Sequence, residues 1–468
     1  MANRTKNDIT RGLGAGTSYP AGEPNVDGDL SHISYKEVND DVLRTMTQTG
    51  RLYWAGLTLS ILGIGLWFVP WGYQIMVGQG VTGLNTPDFW GIYLTNFVFW
   101  IGISHSGTLL SAILFITKTP WRRTIYRSAE AMTFFSVLTA AVFIFVHMGR
   151  PWNFYWTMPY PNQRQLWLNF QSPLMFDVFA ISTYATSSMI FLYFGSIPDL
   201  AAVRDRITGW RKPIYTLLSL GWRGTDAEWH WLNKSYAFFA VFIIPLAVSV
   251  HSIVSWDFAL SKVPGLNKTI FAPYFVVGAI YSGSAAIVTL MIVLRKVLNL
   301  KKYITLHHFD KLGMLLLCMS LLWSYINVME VFTGWYANTS PDNETMIYRM
   351  FNGPWAYMYW IMLFTNTLMP LLYIFKKCRQ TIAITLIVSL GVNVGMWIER
   401  YIILTTSLPR KFLPFMWHDY SPSWTEISMT AGSFCFFAFL FFLFVKFWPS
   451  MSIYEIKEDI GVPMKKGH

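Results

Sequence analysis

Charged side chains are scarce in this chain. Only 13% of its 468 residues are Asp, Glu, Lys or Arg, and 53% are hydrophobic. Soluble proteins carry about 25% charged residues, so this chain has too few to cover a surface that faces water. A lipid bilayer accepts an apolar exterior, provided that the backbone satisfies its own hydrogen bonds. The composition therefore predicts a membrane protein.

Cysteine is also scarce. The three cysteines, Cys318, Cys378 and Cys435, are far apart, and no CxxC or CxxCH motif occurs. Zinc sites, haem c attachment and iron–sulfur clusters all need grouped cysteines or histidines. A cytochrome b would need paired histidines at mid-membrane, and only His105 is expected there. We expect no haem, iron–sulfur cluster or metal in this chain.

Two further absences bear on partners and targeting. The net charge of +11 is spread over loops between apolar runs and forms no basic tract, so the sequence does not indicate nucleic-acid binding. Residues 1–50 contain no apolar core of the kind that a cleavable signal peptide has.

Long apolar segments dominate the rest of the chain, and a membrane-spanning helix needs about 20 mainly apolar residues. They predict an all-α membrane protein of about ten helices, with an extended N-terminal arm (1–51), a transmembrane domain (52–447) and a tail (448–468). Alternate crossings allow two four-helix bundles, formed by helices 2–5 and 6–9, with two flanking helices. The predicted segments are 52–79, 89–117, 125–148, 174–195, 235–255, 270–294, 309–336, 354–375, 381–406 and 426–447.

The basic residues predict the orientation. Most of the 36 Lys and Arg fall in the arm, the tail and the alternate loops on the same side as these termini. Basic residues concentrate on the cytoplasmic side of membrane proteins. We therefore expect a bacterial inner-membrane protein with both termini in the cytoplasm.

Reporter fusions test this orientation. A fusion at the C-terminus should report the cytoplasm, and one within 149–173 should report the opposite side. The same side for both would contradict the predicted topology.

Ionisable residues inside the apolar segments point to a site. Each charge in hydrocarbon costs at least about 2.5 kcal/mol, so such residues are usually functional. Each residue taken alone has an ordinary structural explanation. A histidine can lie among the lipid headgroups, an aspartate can stabilise the start of a helix, and an arginine can extend its charged end to the membrane surface. Most of these residues nevertheless lie in the outer halves of five helices, with His105 deeper: His147, Asp177, His251, Asp257, Glu330, Glu399 and Arg400.

Such a site suits a lipid-soluble quinol. Oxidation of a quinol releases two protons, which imidazole and carboxylate groups such as His147 and Asp177 can accept. Arg400 can hold a carboxylate or orient a carbonyl, and aromatic residues of 149–173, including Trp152 and Trp156, can wall the ring. Electrons would have to leave to a partner subunit. A polar stripe on the fourth predicted helix, with Asp177, Tyr184 and Ser188 on one face, indicates either a proton path or ordinary hydrogen bonding between helices. The candidates for proton transfer are His105, Tyr184, His251, Glu330 and Glu399.

Four segments carry a family resemblance: FWIGISHSGTLLSAIL (99–114), HMGRPW (147–152), SPLMFD (172–177) and WIERYIILTTSL (397–408). They resemble the NrfD/PsrC-like family of membrane quinol subunits, and the ten-helix layout resembles the larger such subunit of bacterial Alternative Complex III. The resemblance covers most of 50–447.

The resemblance implies a menaquinol site near the periplasmic face, formed by His147, Asp177, Asp257 and Arg400. It implies a chain without its own redox centre, which works with iron–sulfur and haem c subunits and a second NrfD-like subunit.

Two other classes remain open at this stage. Buried acids and polar stripes also occur in transporters and channels, although these more often show broken helices at mid-membrane, for which Pro245 and Pro370 are weak examples. A purely structural anchor for other subunits is the third class. The acid and histidine cluster argues against the anchor.

Overall fold

The computed structural model describes residues 33–85, 88–158 and 173–460. Within these ranges the regular structure is helical, and no strand occurs. The all-α prediction is confirmed. The α-helices are α1 (Tyr35–Thr47), α2 (Arg51–Val77), α3 (Gly91–Ile116), α4 (Tyr126–His147), α5 (Pro173–Arg204), α6 (Arg211–Leu218), α7 (Asp226–Ala259), α8 (Phe271–Val297), α9 (Leu306–Ala337), α10 (Ser340–Ile347), α11 (Ala356–Leu363), α12 (Lys376–Gln380), α13 (Ile382–Ser407), α14 (Trp424–Phe447) and α15 (Ile453–Asp459).

Nine of the described helices are long and apolar enough to cross a membrane: α2, α3, α4, α5, α7, α8, α9, α13 and α14. The predicted segment 354–375 is also helical, but it divides into α11, a π-helical turn (Phe364–Leu368) and a 3-10 stretch (Met369–Ile374).

Pro370 accounts for this division. Proline has no backbone N–H, so the carbonyl four residues earlier loses its α-helical donor. That carbonyl belongs to Asn366, and it accepts hydrogen bonds from Tyr281 Oη at 2.9 Å and Ser320 Oγ at 2.7 Å. Side chains of α8 and α9 thus replace the missing backbone bond, as broken helices at membrane depth require.

The helices pack in two groups. In the first, α3 packs on α4 and α7, and α5 packs on α4 and α7; in the second, α8 packs on α9 and α13, and α11 packs on α13. The groups meet where α3 and α7 contact α8, and α2 pairs with α14 outside them. We call the side where α2 begins and α14 ends the terminal face, and the other side the distal face.

Small residues let α3 approach its neighbours closely. A Cβ atom on Gly107 would lie 2.1 Å from the Ala129 carbonyl oxygen of α4. A Cβ on Gly283 of α8 would lie 2.1 Å from Ser106 Cβ of α3. Small residues at helix contacts are how membrane helices come close enough to pack without a hydrophobic driving force. These two close contacts hold α3, which carries His105, against α4 and α8.

Substitution Gly107→Ala should therefore destabilise the protein. The added methyl meets a backbone oxygen, so α3 and α4 must move apart, and overpacking of this kind costs about 1–3 kcal/mol. The matched control is Gly65→Ala on α2, where no heavy atom lies within 4 Å of the added Cβ. Thermal unfolding of the detergent-purified variants should show a lower midpoint for Gly107→Ala alone. Equal midpoints would contradict this account of the α3–α4 contact.

Helical structure outside the predicted segments was missed. The predicted extended arm contains α1, whose N-cap Ser34 Oγ accepts a hydrogen bond from Glu37 N. The predicted tail contains α15, and the insert 196–234 contains α6. Residues 1–32 of the arm, and the end of the tail from 461, lie outside the described residues. The helices α1, α6 and α15 are amphipathic or polar, and they contain too few apolar residues to be predicted as membrane segments.

Candidate functional site

Two carboxyl groups from different helices meet near the distal face. Asp177 lies in the second turn of α5 and Asp257 near the end of α7, and their side chains are within hydrogen-bonding distance of each other. Asp177 is only 6% exposed. Two carboxylates this close in a buried site would repel each other, and a proton shared between them removes that repulsion. One oxygen of each, Oδ1, is buried and has no hydrogen-bond partner among the described residues.

The third predicted residue of this site, His147, ends α4 on the same face. Its backbone carbonyl accepts a hydrogen bond from Gln79 Nε2 at 2.6 Å, which fixes the end of the helix. Its ring Nδ1 is buried, and no group in the described part of the chain bonds to it. The structure brings these three residues to the same face but pairs only the two acids.

The aromatic loop that follows His147 is described only in part. Trp152 and Trp156 lie in a 3-10 helix (Pro151–Thr157), and each is 60% exposed. The remainder of the predicted ring wall, from 159 to 172, lies outside the described residues. Both tryptophans are thus available to a ligand or a partner rather than packed in the core.

A deeper cluster joins three residues that sequence reasoning assigned to possible proton transfer. The rings of His105 and Tyr184 stack with centroids 4.4 Å apart, and the His251 ring lies 4.8 Å from His105. His105 Nδ1 contacts the Ile101 carbonyl oxygen at 2.6 Å, which places the proton on Nδ1 and leaves Nε2 as an acceptor. His105 Nε2 and both His251 nitrogens are buried, and none has a partner among the described residues.

The sequence did not indicate that His251 lies beside His105. They belong to α7 and α3, and their contact depends on the packing of the first helix group. Tyr184 Oη completes the cluster, since it donates to the Ser104 carbonyl oxygen at 3.0 Å and lies 2.6 Å from Thr108 Oγ1.

Arg400 lies where the two helix groups meet. Its guanidinium contacts the Phe275 ring at 4.4 Å and donates to Glu399 Oε1 at 3.0 Å. Gly278 leaves the space for it, because a Cβ there would lie 2.5 Å from Arg400 Nη2. Phe275 also lies 6.0 Å from the His251 ring. Arg400 therefore neighbours the histidine cluster, and its ion pair is with Glu399 rather than with the acid pair.

A polar series continues from Glu399 toward the distal face. The Glu399 carboxylate lies beside Tyr274, whose hydroxyl accepts a hydrogen bond from Asn327 Nδ2 at 3.2 Å. Glu330 pairs with Arg349 at 3.1 Å. Asn327, Glu330 and Arg349 line a cavity of about 30 Å³, which is large enough for a water molecule.

The WIERYIILTTSL segment contributes to both ends of this series. Glu399 and Arg400 lie near its start, and its hydroxyls at Thr406 and Ser407 accept hydrogen bonds from Arg349, both at 3.1 Å. Sequence reasoning identified the first pair but not the hydroxyls or Arg349, whose role depends on the fold.

Buried ionic groups at the terminal face were also missed. Glu130 is fully buried and accepts hydrogen bonds from Ser111 Oγ at 2.7 Å and Tyr236 Oη at 2.9 Å. Arg127 pairs with Asp199 at 2.9 Å, and neither side chain is exposed. The sequence pattern did not single out these residues, which helix packing and α15 cover.

A further buried acid, Asp88, lies just before α3 on the distal face. One carboxyl oxygen accepts a hydrogen bond from Gly91 N at 3.2 Å, and the other has no partner among the described residues. Burial raises the pKa of Asp88 to about 6, against the opposing effect of its backbone hydrogen bonds. This carboxyl therefore holds its proton more tightly than a solvated aspartate does.

These features define a multi-pass helical membrane protein whose ionisable side chains converge between helices. The family model for polysulphide reductase NrfD matches residues 80–410. The chain belongs to this family, which confirms the resemblance inferred from its motifs.

Two curated relatives agree. A putative dimethyl sulfoxide reductase membrane subunit from Halobacterium salinarum is 27% identical over 232 residues, which is 49% of this chain and 48% of the relative. A selenate reductase subunit from Mesobacillus selenatarsenatis is 22% identical over 446 residues, which is 89% of this chain and 99% of the relative. The chain spans about half the length of the first relative and nearly all of the second. Both are named as subunits of reductases.

Proposed function

We propose that this chain is the quinol-binding and quinol-oxidising membrane subunit of a respiratory oxidoreductase complex. The observation that carries the proposal is the Asp177–Asp257 pair. Two carboxyl groups from α5 and α7 meet near one membrane face, and each keeps an oxygen without a partner among the described residues. A buried acid in a membrane helix is costly unless it is used.

The chemistry of the pair suits quinol oxidation. A quinol loses two electrons and two hydroxyl protons as it becomes a quinone. A carboxylate of the pair accepts one hydroxyl proton, and the pair then releases that proton toward the distal face. The second hydroxyl proton goes either to the same carboxylate, once it has released the first proton, or to His147 at Nδ1.

The electrons need a one-electron acceptor in a partner. We propose an iron–sulfur subunit at the distal face, with haem c subunits beyond it and a second NrfD-like subunit in the membrane. The distal face is then the periplasmic one, and both termini are cytoplasmic. The reductase names of the relatives support a membrane subunit that supplies electrons to a complex.

Proton translocation is the finer part of the proposal. His105, Tyr184 and His251 form the deeper cluster, and Glu399 and Glu330 lie along the series that leads to the distal cavity. Imidazole and carboxyl groups at these spacings can pass protons, directly or through water.

Photolabelling tests where a quinone binds. The purified full chain, in detergent, is irradiated with an azido-menaquinone analogue and digested, and the labelled peptides are identified by mass spectrometry. Label at the beginning of α5 and the end of α7 that excess menaquinone suppresses supports the proposal. Label spread over lipid-facing helices, or label that menaquinone does not suppress, contradicts a quinone site here and favours the transporter or anchor class.

A further inference from the structure

A basic depression opens at the terminal face beside α6, and it takes no part in the proposed quinol chemistry. It measures about 420 Å³ and is lined by Thr47, Arg206, Ile207, Thr208, Trp210, Arg211 and Lys446. Three of these side chains are cations, and none of the lining residues is acidic. We propose that this depression binds the phosphate of an anionic phospholipid.

The three positive charges have no acidic partner within the described part of the chain. Arg206 donates to the Ala202 carbonyl oxygen at 2.8 Å, Arg211 to that of Met46 at 3.3 Å and Lys446 to that of Thr47 at 3.4 Å. Carbonyl oxygens satisfy one donor each but carry no net charge. Arginine has five N–H donors and lysine three, so most of their donors remain for a ligand.

The charges are held in place even though they repel one another. The guanidinium of Arg211 lies 4.9 Å from the centre of the Phe447 ring and 5.5 Å from that of Trp210, and Lys446 is close enough to experience the Arg211 charge. Tyr215 Oη donates to the Phe447 carbonyl oxygen at 2.9 Å, which fastens α6 across the end of α14. An anion between the cations would remove the repulsion.

The neighbouring apolar surface shows why this anion belongs to a lipid. Trp210, Ile214 and Leu217 follow a spacing of four and three residues, which places them on one face of α6. They are 67%, 45% and 75% exposed. A short helix with an exposed apolar face and adjacent cations is typical of segments that lie in the membrane interface. A free phosphate would use the cations and leave this face without a partner.

The position in the fold agrees with a headgroup. The lining residues come from the end of α1, the loop after α5, the beginning of α6 and the last turn of α14. All are at the terminal face, where the membrane-spanning helices end and headgroups lie. Basic residues close to an anionic membrane surface each strengthen binding about fivefold.

Native mass spectrometry of the full chain tests the proposal. The detergent-purified protein is titrated with dioleoylphosphatidylglycerol, and in parallel with dioleoylphosphatidylcholine. The variant is Arg206→Gln combined with Arg211→Gln. The matched control is Lys234→Gln, because Lys234 is an exposed cation on the same side, in the third turn of α7, and lies outside the depression.

The wild-type chain and the control should bind one phosphatidylglycerol with the same affinity and prefer it to phosphatidylcholine. The double variant should bind it about 25-fold more weakly, at about fivefold per cation. Arg206→Lys with Arg211→Lys should restore most of the affinity, which separates loss of charge from loss of folding.

Three results would overturn the proposal. One is equal affinity of the wild-type chain for phosphatidylglycerol and phosphatidylcholine. This result does not depend on the folding of any variant. Another is an unchanged affinity in the double glutamine variant. The last is full displacement of phosphatidylglycerol by millimolar inorganic phosphate, which would assign the depression to a free anion instead.

Discussion

Asp177→Asn should lower quinol-dependent turnover by about 10²–10⁴-fold, the contribution typical of a general base. Asparagine keeps the size and the hydrogen-bonding shape of the side chain but cannot accept a proton at neutral pH. Its amide can still donate to Asp257, so the contact between α5 and α7 persists. The loss should therefore fall on the chemistry rather than on assembly.

The measurement is the rate of quinol-dependent reduction of an electron acceptor by the intact complex, with menadiol as the quinol. The matched control is Asp205→Asn, because Asp205 follows α5 at the terminal face, is largely exposed and pairs with Arg204 at 2.8 Å. It should turn over at the wild-type rate. Co-purification of the partner subunits shows that each variant assembles.

His147→Ala serves as a second probe of the same chemistry. It removes a buried imidazole whose Nδ1 has no partner among the described residues, and it should also abolish quinol oxidation without preventing assembly. Near-normal turnover in both variants, with all subunits retained, would move the quinol site away from this end of α4, α5 and α7.

The fold was largely predictable from the sequence because lipid imposes a simple rule on it. Every membrane crossing must be a long apolar helix, and such segments are visible without an alignment. The ends of the helices were harder to predict, because α5 and α7 extend beyond their apolar segments into polar residues such as Arg204 and Asp226. The amphipathic helix α6 lacks the apolar length that the rule detects.

The candidate site was only partly predictable, for a different physical reason. An ionisable residue in an apolar segment is easily recognised in the sequence, as Asp177 and Arg400 are. Its partner is set by helix rotation and close packing, which a single sequence does not give. The Asp177–Asp257 contact and the stacking of His105 on Tyr184 are of this kind. The burial of Glu130 against Ser111 and Tyr236 also depends on helix packing.

Arg127→Leu should destabilise the protein by about 3–5 kcal/mol, the cost of leaving one member of a buried ion pair without its partner. Arg127 and Asp199 are both fully buried at the terminal face. Asp199 also accepts hydrogen bonds from the backbone N–H groups of Ile453 and Tyr454, both at 3.0 Å. Without the guanidinium, the Asp199 carboxylate, which holds the beginning of α15, becomes a buried charge that has lost its ionic partner.

The control for this effect is Arg204→Leu on the same helix as Asp199. Arg204 pairs with Asp205, but the Asp205 side chain is 60% exposed, and exposed pairs contribute about 0–1 kcal/mol. Its unfolding free energy, measured by denaturant titration in detergent, should stay close to that of the wild-type chain. Arg127 also donates to Tyr126 Oη and to the Gly195 carbonyl oxygen, so the comparison contrasts a buried ionic network with a largely exposed pair.

The double variant Arg127→Leu with Asp199→Asn identifies the cause of the loss. Asparagine at position 199 is neutral, so the uncompensated buried charge is gone, and its Oδ1 can still accept hydrogen bonds from the N–H groups of Ile453 and Tyr454. The double variant should therefore be more stable than Arg127→Leu alone, even though it carries one more substitution. If the second substitution instead adds further destabilisation, the cost of Arg127→Leu comes from lost packing and not from an uncompensated buried charge.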